Sequence, residues 1–327
     1  MPRRRRRVRF RQFPKLSEVA PADAPAGEWV AFEKVHGAQL VLGRGADGAV
    51  RFGKRKAWLA DEEPFFGWQV LRRRLTEAVR EIASRIPRAG ERDLVVYTEL
   101  HGGGYPHPDV PVLASAGPVQ TGVWYGPELR VAAFAILLAA PGEDDGELLA
   151  PSETELLVEG CPGIDAVPVV ARRESHRRVA ELPVSRTPAA PRRDGLPAID
   201  GNVAEGLVLW PDRPASLGGL RAWKRKIPQM REEMFDRSRP FDPHRPVPLA
   251  ELGELAVRMV GGVRLASARS KTGDDPALLL DELVLDVLTD LEAALPAGMA
   301  ALEPADLDLL AERIRRAAGT LGSRSSR

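Results

Sequence analysis

The stretch Phe32-Glu33-Lys34-Val35-His36-Gly37 decides the fold of this chain and points to its chemistry. Strand-like residues flank it, Trp29 to Glu33 before and Ala38 to Leu42 after, so we expect two strands around a tight turn at His36-Gly37. A lysine at the end of such a strand is unusual in packing, because burying its charge is costly. The position suits an amine nucleophile, whose neutral form is favoured by burial and by nearby positive charge. A surface lysine in a hairpin is the alternative interpretation.

A second basic segment runs from Arg221 to Lys226. Residues two apart on a strand share a face, so Lys224 and Lys226 are expected to project together. Two adjacent ammonium groups repel each other unless an anion lies between them, and a nucleotide phosphate or pyrophosphate would serve. The alternative is a solvated edge strand that uses lysine to prevent aggregation.

Two carboxylates occupy comparable positions. Glu99 ends an apolar strand just before the glycine run Gly102 to Gly104, and Glu205 directly precedes the strand-like segment Gly206 to Pro211. Paired carboxylates beside phosphates are typical of magnesium sites. Each glutamate on its own could also be an ordinary solvent-facing residue.

The basic residues are strongly biased in type. The chain has 47 lysines and arginines, of which seven are lysine and the other forty are arginine. A GC-rich genome explains the arginines, but it does not explain where the lysines lie. They are Lys15, Lys34, Lys54, Lys56, Lys224, Lys226 and Lys271.

Composition restricts the class of protein. A chain of 327 residues with 44% hydrophobic and 28% charged residues fits a folded globular protein with one large domain or two ordinary ones. The absence of about 18 uninterrupted apolar residues argues against a membrane span, and no apolar stretch follows the N-terminal arginines as in a secretory signal. The single cysteine, Cys161, excludes an internal disulfide framework and a cysteine-based zinc cluster. We therefore expect a cytoplasmic protein.

The net charge of +1 conceals a strong asymmetry. Residues 1–11 contain seven arginines and no acid, whereas residues 272–312 contain eleven acids and no base. An arginine-rich arm is typical of contact with a polyanion, and a solubilising tail is the alternative. The candidate RNA-binding residues of the arm are Arg3, Arg4, Arg5, Arg6 and Arg7.

Periodicity predicts an α+β domain followed by a helical one. A helical pattern covers residues 64–86, and strand patterns cover 93–100, 131–138, 206–210 and 220–226. Proline punctuates residues 240–248, and helical patterns follow at 249–261, 276–294 and 304–318. We predict an arm at 1–11, a main domain at 12–239 and a helical domain at 240–327.

The motifs, in this order, resemble those of the covalent nucleotidyltransferase superfamily, and the Glu-Lys-x-His-Gly form is similar to the RNA ligase 2 family of phage nick-sealing and trypanosome editing ligases. The resemblance covers residues 28–228. Glu33 to Gly37 resembles motif I, Gly53 to Lys56 with Glu63 to Gly67 the motif Ia region, Tyr97 to Pro106 motif III, Ala133-Phe134 motif IIIa, Glu205-Gly206 motif IV, and Lys224 to Lys226 motif V. The implied fold is an ATP-grasp-like ligase domain of antiparallel sheets with flanking helices, before a small helical domain.

The resemblance also implies roles for the basic residues. Lys34 would attack the α-phosphate of ATP, release pyrophosphate and carry AMP through a phosphoamide bond. Lys224 and Lys226 would bind the α-phosphate and balance charge in the transition state. Arg55 would contact a phosphate of the nucleotide or of the RNA end. His36 would act after adenylation or orient phosphates, the alternative being a loop histidine that satisfies backbone groups.

The remaining implied roles concern ATP, AMP and the metal. Glu99 would hold the ribose hydroxyls or Mg²⁺ (or Mn²⁺), Glu205 would help to place the metal, and Phe134 would stack on the adenine. The implied ATP- and AMP-binding set is Glu33, Gln39, Arg55, Glu99 and Phe134. Two departures from the family stand out: Gln39 replaces the usual asparagine after motif I, and Ala135 replaces an aspartate that often follows motif IIIa.

The sequence as a whole predicts an ATP-dependent RNA ligase. It would join RNA 3′-hydroxyl and 5′-phosphate ends, in RNA repair or nick sealing, with Mg²⁺ required. One alternative is another covalent nucleotidyltransferase, such as a DNA ligase or a capping enzyme. The other is a non-catalytic RNA-binding protein with a vestigial nucleotide pocket. Neither membrane binding nor a particular protein partner is indicated.

Overall fold

Two β-sheets dominate the first two thirds of the protein. The computed structural model describes residues 7–111, 117–227, 247–260, 262–273 and 275–324. The strands are β1 (Trp29–Lys34), β2 (Ala38–Arg44), β3 (Val50–Lys54), β4 (Ala57–Trp58), β5 (Asp93–Gly104), β6 (Gly126–Ala139), β7 (Glu147–Leu148), β8 (Asp165–Ala166), β9 (Val169–Arg173), β10 (Gly206–Pro211), β11 (Ala215–Ser216) and β12 (Trp223–Lys226). The helices are α1 (Arg72–Arg85), α2 (Pro151–Val158), α3 (His176–Ala180), α4 (Ala189–Arg193), α5 (Leu249–Met259), α6 (Gly262–Thr272), α7 (Pro276–Ala294), α8 (Pro296–Ala300) and α9 (Pro304–Arg324).

The connection between β1 and β2 links the two sheets. The four-stranded sheet has the order β12-β10-β1-β9, and the larger one has the order β11-β7-β6-β5-β2-β3-β4, with β8 added in parallel to β6. The predicted strands on either side of His36-Gly37 are both present, but they do not pair as a hairpin. Each has other neighbours, because β1 lies between β10 and β9 while β2 lies between β3 and β5. The chain therefore crosses from one sheet to the other directly after Lys34.

Alternation along β1 assigns its two faces to different cores. Trp29 and Ala31 pack on the outer side of the small sheet with Val179 of α3. Val30 and Phe32 face the opposite way, into the core between the two sheets. Continuing the alternation carries Lys34 to this inner face, at the end of the strand.

The same alternation operates on β5 in the large sheet. Val95 and Tyr97 belong to the core between the sheets, whereas Leu94 and Val96 pack on the outer side, against the apolar face of α1. Glu99 follows on the inner face by the same two-residue period. Both sheets thus deliver a charged residue to one end of their shared core.

The predicted helix over residues 64–86 begins later than its apolar period indicates. Phe66 and Gly67 adopt left-handed backbone conformations, with φ values of 54° and 75°. A 3-10 turn at Trp68–Leu71 follows, and α1 begins only at Arg72. Left-handed residues cannot continue a right-handed helix, so the first two turns of the predicted helix do not form.

A separate hydrophobic core holds the C-terminal helices together. Helices α5, α7 and α9 match the three predicted patterns, whereas α6 and α8 were not predicted. This part of the chain contacts the main domain through Arg73, whose Nε lies 2.7 Å from Asp290 and which also bonds Asp286. The predicted proline-rich link at 240–248 lies almost entirely outside the described residues, so the domain boundaries stay a prediction. No helix in the described ranges is long and apolar enough to cross a membrane.

The end of the predicted arginine arm packs onto the large sheet. Arg11 is buried and its guanidinium lies 2.9 Å from Asp93, while its carbonyl accepts a 3.0 Å hydrogen bond from the Tyr97 hydroxyl. Arg9 forms an exposed ion pair with Asp144. These two arginines therefore anchor the chain. Of the candidate RNA-binding residues, Arg7 is exposed, and Arg3, Arg4, Arg5 and Arg6 lie outside the described residues.

Candidate active site

A cavity of about 630 Å³ lies where the two sheets meet beyond their shared core. It gathers residues from both sheets and from the N-terminal segment. Of the predicted site residues, Glu33, Lys34, His36, Gln39, Arg55, Glu99, Phe134, Glu205, Lys224 and Lys226 line it. Arg7 is not among the lining residues.

Strand register aligns the lysines of motifs I and V. Gly206 on β10 pairs with Lys34 on one side and with Lys226 on the other, and Val208 pairs with Lys224. A Cβ at position 206 would lie 2.0 Å from the carbonyl oxygen of Arg225, so only glycine allows this approach of β10 to β12. The two lysines consequently lie on either side of a residue without a side chain.

Glu205 connects the three basic groups around it. Its Oε2 lies 2.5 Å from Nζ of Lys34 and 3.2 Å from Nδ1 of His36, and its Oε1 lies 2.9 Å from Nζ of Lys226. Burial by itself would raise the pKa of Glu205, but the hydrogen bonds from His36, Lys34 and Lys226 outweigh it and hold the pKa well below its ordinary value. Glu205 is therefore a permanent anion that fixes the nucleophile candidate.

Lys224 occupies a less compensated position. Its Nζ lies 4.0 Å from Glu18, at the limit of an ion pair. Burial, together with the positive charges of Lys226 and Lys34, lowers the pKa of Lys224. The mutual repulsion of these ammonium groups favours an anion between them, as the sequence predicts.

Glu99 faces the same cavity from the large sheet, where it pairs across strands with Gln39. Burial raises the pKa of Glu99 to about 7, an effect that the charge of Lys34 only partly offsets and that the carboxylate of Glu205 reinforces. A side chain at position 37 would meet the Leu100 carbonyl oxygen at 2.1 Å, so glycine is required where the turn passes β5.

His36 is held by a residue outside every predicted motif. Its backbone N–H donates a 2.8 Å hydrogen bond to the hydroxyl of Tyr125, which is buried and packs edge-on against His101. Nε2 of His36 and Nε2 of Gln39 are buried and have no hydrogen-bond partner within the described part of the chain. Both residues line the cavity, so a ligand bound there could supply the missing partners.

Phe134 reaches the cavity through a β-bulge. The pairing of β5 with β6 passes from Tyr97 with Ala135 to Thr98 with Ala133, which leaves Phe134 unpaired. Its ring lies 5.0 Å from that of Phe13 and 6.3 Å from that of Tyr97. The bulge places Phe134 and Ala135 on the same inner face. Ala135 is buried there, where an aspartate would need a partner.

Glu33 lines the cavity, but its carboxylate is bonded to the protein backbone. Oε2 accepts a 2.8 Å hydrogen bond from the backbone N–H of Ala189, and Oε1 has no partner among the described residues. Burial raises the pKa of Glu33 to about 6. Its predicted nucleotide-binding role stays a prediction.

Sequence motifs missed part of this site. Six of the seven lysines line the cavity, including Lys15, and Lys271 instead pairs with Glu282 at 2.7 Å. Among the arginines in the described ranges, only Arg55 lines it. Phe13, Lys15, Gln120 and Trp210 are lining residues outside the predicted set. The lysine count was the only sequence signal for Lys15.

The cavity supplies some, but not all, of the oxygen ligands that a divalent cation such as Mg²⁺ needs. The described residues contain no cluster of three or more His, Cys, Asp or Glu side chains that could hold a metal ion by themselves. Glu99 and Glu205 supply carboxylate oxygens at one cavity, and those of Glu205 already contact Lys34, His36 and Lys226. A magnesium ion there would take its other ligands from substrate phosphates and water, as Mg²⁺ usually does.

Comparison with known proteins places these residues in a family. The model of the family described as RNA ligase matches residues 27–224. The chain is 29% identical over 234 residues to RNA-editing ligase 2, mitochondrial, of Trypanosoma brucei brucei, with 64% of this chain and 56% of that protein covered. It is 29% identical over 223 residues to RNA-editing ligase 1, mitochondrial, of the same organism, with 60% and 47% covered.

The chain thus spans about half the length of these curated relatives. Among solved structures, an RNA ligase of Naegleria gruberi aligns with a TM-score of 0.43 at 14% identity, covering 66% of this chain and 56% of that one. The assignment rests on the family match, which includes motifs I to IV and ends at the first residue of motif V, Lys224. The chain belongs to the RNA ligase family of covalent nucleotidyltransferases.

Proposed function

We propose that the protein is an ATP-dependent RNA ligase that forms a covalent lysyl-AMP intermediate at Lys34. One observation carries the proposal: in a member of the RNA ligase family, Lys34 is fixed by Glu205 and lies across Gly206 from Lys226 inside a large cavity. A single carboxylate held between a nucleophile candidate and a second cation is suited to phosphoryl chemistry, in which positioning and charge compensation dominate.

In the first step, the Lys34 ammonium would lose a proton to water, and the neutral Nζ would attack the α-phosphorus of ATP. A P–N bond forms, the bond to the bridging oxygen breaks, and pyrophosphate leaves with the electron pair. Lys224 and Lys226, which line the same cavity, would compensate the charge on the α-phosphate oxygens. Phe134 and Phe13 offer aromatic surface for the base.

In the later steps, the 5′-phosphate of RNA would attack the lysyl-bound phosphorus and release Lys34. The 3′-hydroxyl would then attack the 5′-phosphate, with AMP as the leaving group. Mg²⁺ or Mn²⁺, held by Glu99 and Glu205, would supply positive charge at the phosphates. His36 lines the same cavity, and its Nε2 has no protein partner in the described ranges. With both ring nitrogens protonated, Nδ1 would donate to Glu205 and Nε2 would donate to a phosphate oxygen.

The substrate that we propose is RNA with 3′-hydroxyl and 5′-phosphate ends, in a nicked duplex. Two alternatives are retained: a DNA-joining or capping nucleotidyltransferase, and a non-catalytic RNA-binding protein. The intact arrangement of Lys34, Glu205 and Lys226 favours catalysis over the second.

The test is covalent labelling. The purified chain is incubated with ATP or GTP labelled at the α-phosphate, with and without MgCl₂, and resolved under denaturing conditions. We expect label from ATP only, dependent on magnesium and absent from Lys34→Ala. The absence of label with both nucleotides contradicts the proposal, and label from GTP alone favours a capping enzyme.

A second assay defines the polynucleotide. Nicked duplexes with RNA or DNA on either side of the nick are offered to the wild-type chain and to Lys34→Ala. We expect sealing of the RNA nick by the wild-type chain alone. Sealing restricted to DNA strands contradicts the RNA assignment while leaving the lysyl-AMP chemistry intact.

A further inference from the structure

The distribution of basic residues singles out Lys15. Six of seven lysines line one cavity, whereas Arg55 is the only cavity-lining arginine in the described part of a chain with forty arginines. Arginine and lysine differ at a phosphate site, because lysine supplies a compact charge on a flexible stem. Five of these lysines belong to motifs already discussed. Lys15 belongs to none of these motifs, yet it lines the same cavity.

The segment that carries Lys15 is fixed at both ends. On one side, Arg11 is held by its buried ion pair with Asp93. On the other side, the carbonyl of Ser17 accepts a 2.9 Å hydrogen bond from the backbone N–H of Lys224. Lys15 therefore projects from an anchored stretch of backbone beside β12, and its presence at the cavity is built into the fold.

Packing between these anchors holds the segment against the cavity. The ring of Phe13 is buried, with centroids 5.0 Å from Tyr97 and from Phe134 and 5.8 Å from Trp210. Pro14 and Leu16, on either side of Lys15, also line the cavity. The Lys15 side chain is exposed, whereas the residues on either side of it are partly buried.

The charge of Lys15 is not compensated by the protein. Lys34 and Lys226 are paired with Glu205, and Lys54 is paired with Glu63. Lys15 has no hydrogen bond or ion pair within the described residues, although it lines a cavity with seven cationic side chains and three carboxylates. A cation added to a positive cavity without a partner is unfavourable unless the ligand is an anion.

We propose that Lys15 is a further phosphate-binding residue of this site, and that it binds a phosphate group other than the one bonded to Lys34. The inference rests on the proposed function. That phosphate belongs either to the pyrophosphate portion of ATP or to the RNA strand, and the two sources share the chemistry of a phosphate oxyanion beside a flexible ammonium group.

The experiment measures two steps separately in Lys15→Ala and Lys15→Glu. The first is the rate of covalent labelling over a range of ATP concentrations. The second is the sealing of a nick whose 5′ end is already adenylated, over a range of RNA and salt concentrations. The matched control is Lys271→Ala with Lys271→Glu, since Lys271 is the one lysine outside the cavity.

We expect Lys15→Ala to raise the half-saturating concentration of either ATP or RNA about fivefold, and we expect Lys15→Glu to raise the same concentration further. Both Lys271 variants should stay near wild type. An increase in the half-saturating ATP concentration assigns the phosphate to ATP. An increase in the half-saturating RNA concentration assigns the phosphate to the RNA strand. In that case the slope of log affinity against log salt concentration should also fall by about 1.

Lys15 variants that match the Lys271 variants in both steps overturn the inference and leave the proposed function standing. A wild-type chain that takes no label from ATP and seals no nick removes the proposed function, and the inference falls with it. Because Lys15 is exposed, the thermal unfolding midpoints of Lys15→Ala and Lys15→Glu should stay near that of the wild-type chain, and a selective loss of folding in Lys15→Ala also contradicts the inference.

Discussion

Replacing Glu99 with glutamine should stabilise the protein at high pH while impairing its proposed reaction. Burial raises the pKa of Glu99 from an ordinary value of 4.5 to about 7. Between these values the unfolded chain has lost the proton and the folded chain retains it, so the folded state loses stability as the pH rises through that window. Above pH 7 the full penalty of the buried charge is present.

The size of the effect follows from the difference in pKa. At about 1.4 kcal/mol per pKa unit, the charge of Glu99 costs at most about 3.5 kcal/mol at pH 8.5 and less than about 1 kcal/mol at pH 5. Glutamine has nearly the same shape as glutamate, but it does not ionise. We expect Glu99→Gln to raise the free energy of unfolding by about 2–3 kcal/mol at pH 8.5 and little at pH 5.

Urea denaturation followed by tryptophan fluorescence at the two pH values measures this difference. Glu91→Gln, at an exposed position, is the matched control and should change the free energy of unfolding at neither pH. Equal stability changes for Glu99→Gln at pH 5 and pH 8.5 would refute the reasoning. Because Glu99 also faces the proposed nucleotide site, the stabilised variant should form less lysyl-AMP, as expected when function retains a destabilising charge.

Three other substitutions test other parts of the structure. Lys34→Arg retains a positive charge beside Glu205 but cannot act as an amine nucleophile, so it should take no label from ATP while its thermal midpoint stays near wild type; labelling of this variant would contradict the assignment. Tyr125→Phe removes the acceptor for the His36 N–H and should lower the labelling rate at saturating ATP about tenfold without changing the half-saturating ATP concentration, whereas an unchanged rate would argue against a positioning role. Arg11→Ala leaves Asp93 buried without its partner and should lower the free energy of unfolding by about 3–5 kcal/mol in urea denaturation; a loss below about 1 kcal/mol would show that the pair does not anchor the N-terminal segment.

The long strands beside the cavity followed from local pattern. Alternation over a few residues predicted that Lys224 and Lys226 share one face of a strand. The order of short motifs indicated the family that the comparison then showed. These features depend on side-chain type and on periods of two residues, which the sequence records directly.

Contacts between residues distant in sequence could not be predicted from local pattern. The turn at His36-Gly37 was predicted, but each of its strands pairs with segments far along the chain, so no hairpin forms. The bulge at Phe134 and the hydrogen bond from His36 to Tyr125 depend on registers that no local pattern specifies. The late start of α1 depends on two left-handed residues that its apolar period does not register.

The sequence alone determined that Lys34 is suited to be a nucleophile, because no arginine could supply a neutral amine at that position. It also determined that lysine was retained at few positions. Only the tertiary structure decided that six of those positions surround one cavity, that Glu205 holds three basic groups at once, and that Lys15 joins them. The physical reason is that residue type is a local property, whereas the distances that govern charge interactions are set by the packing of one sheet on the other.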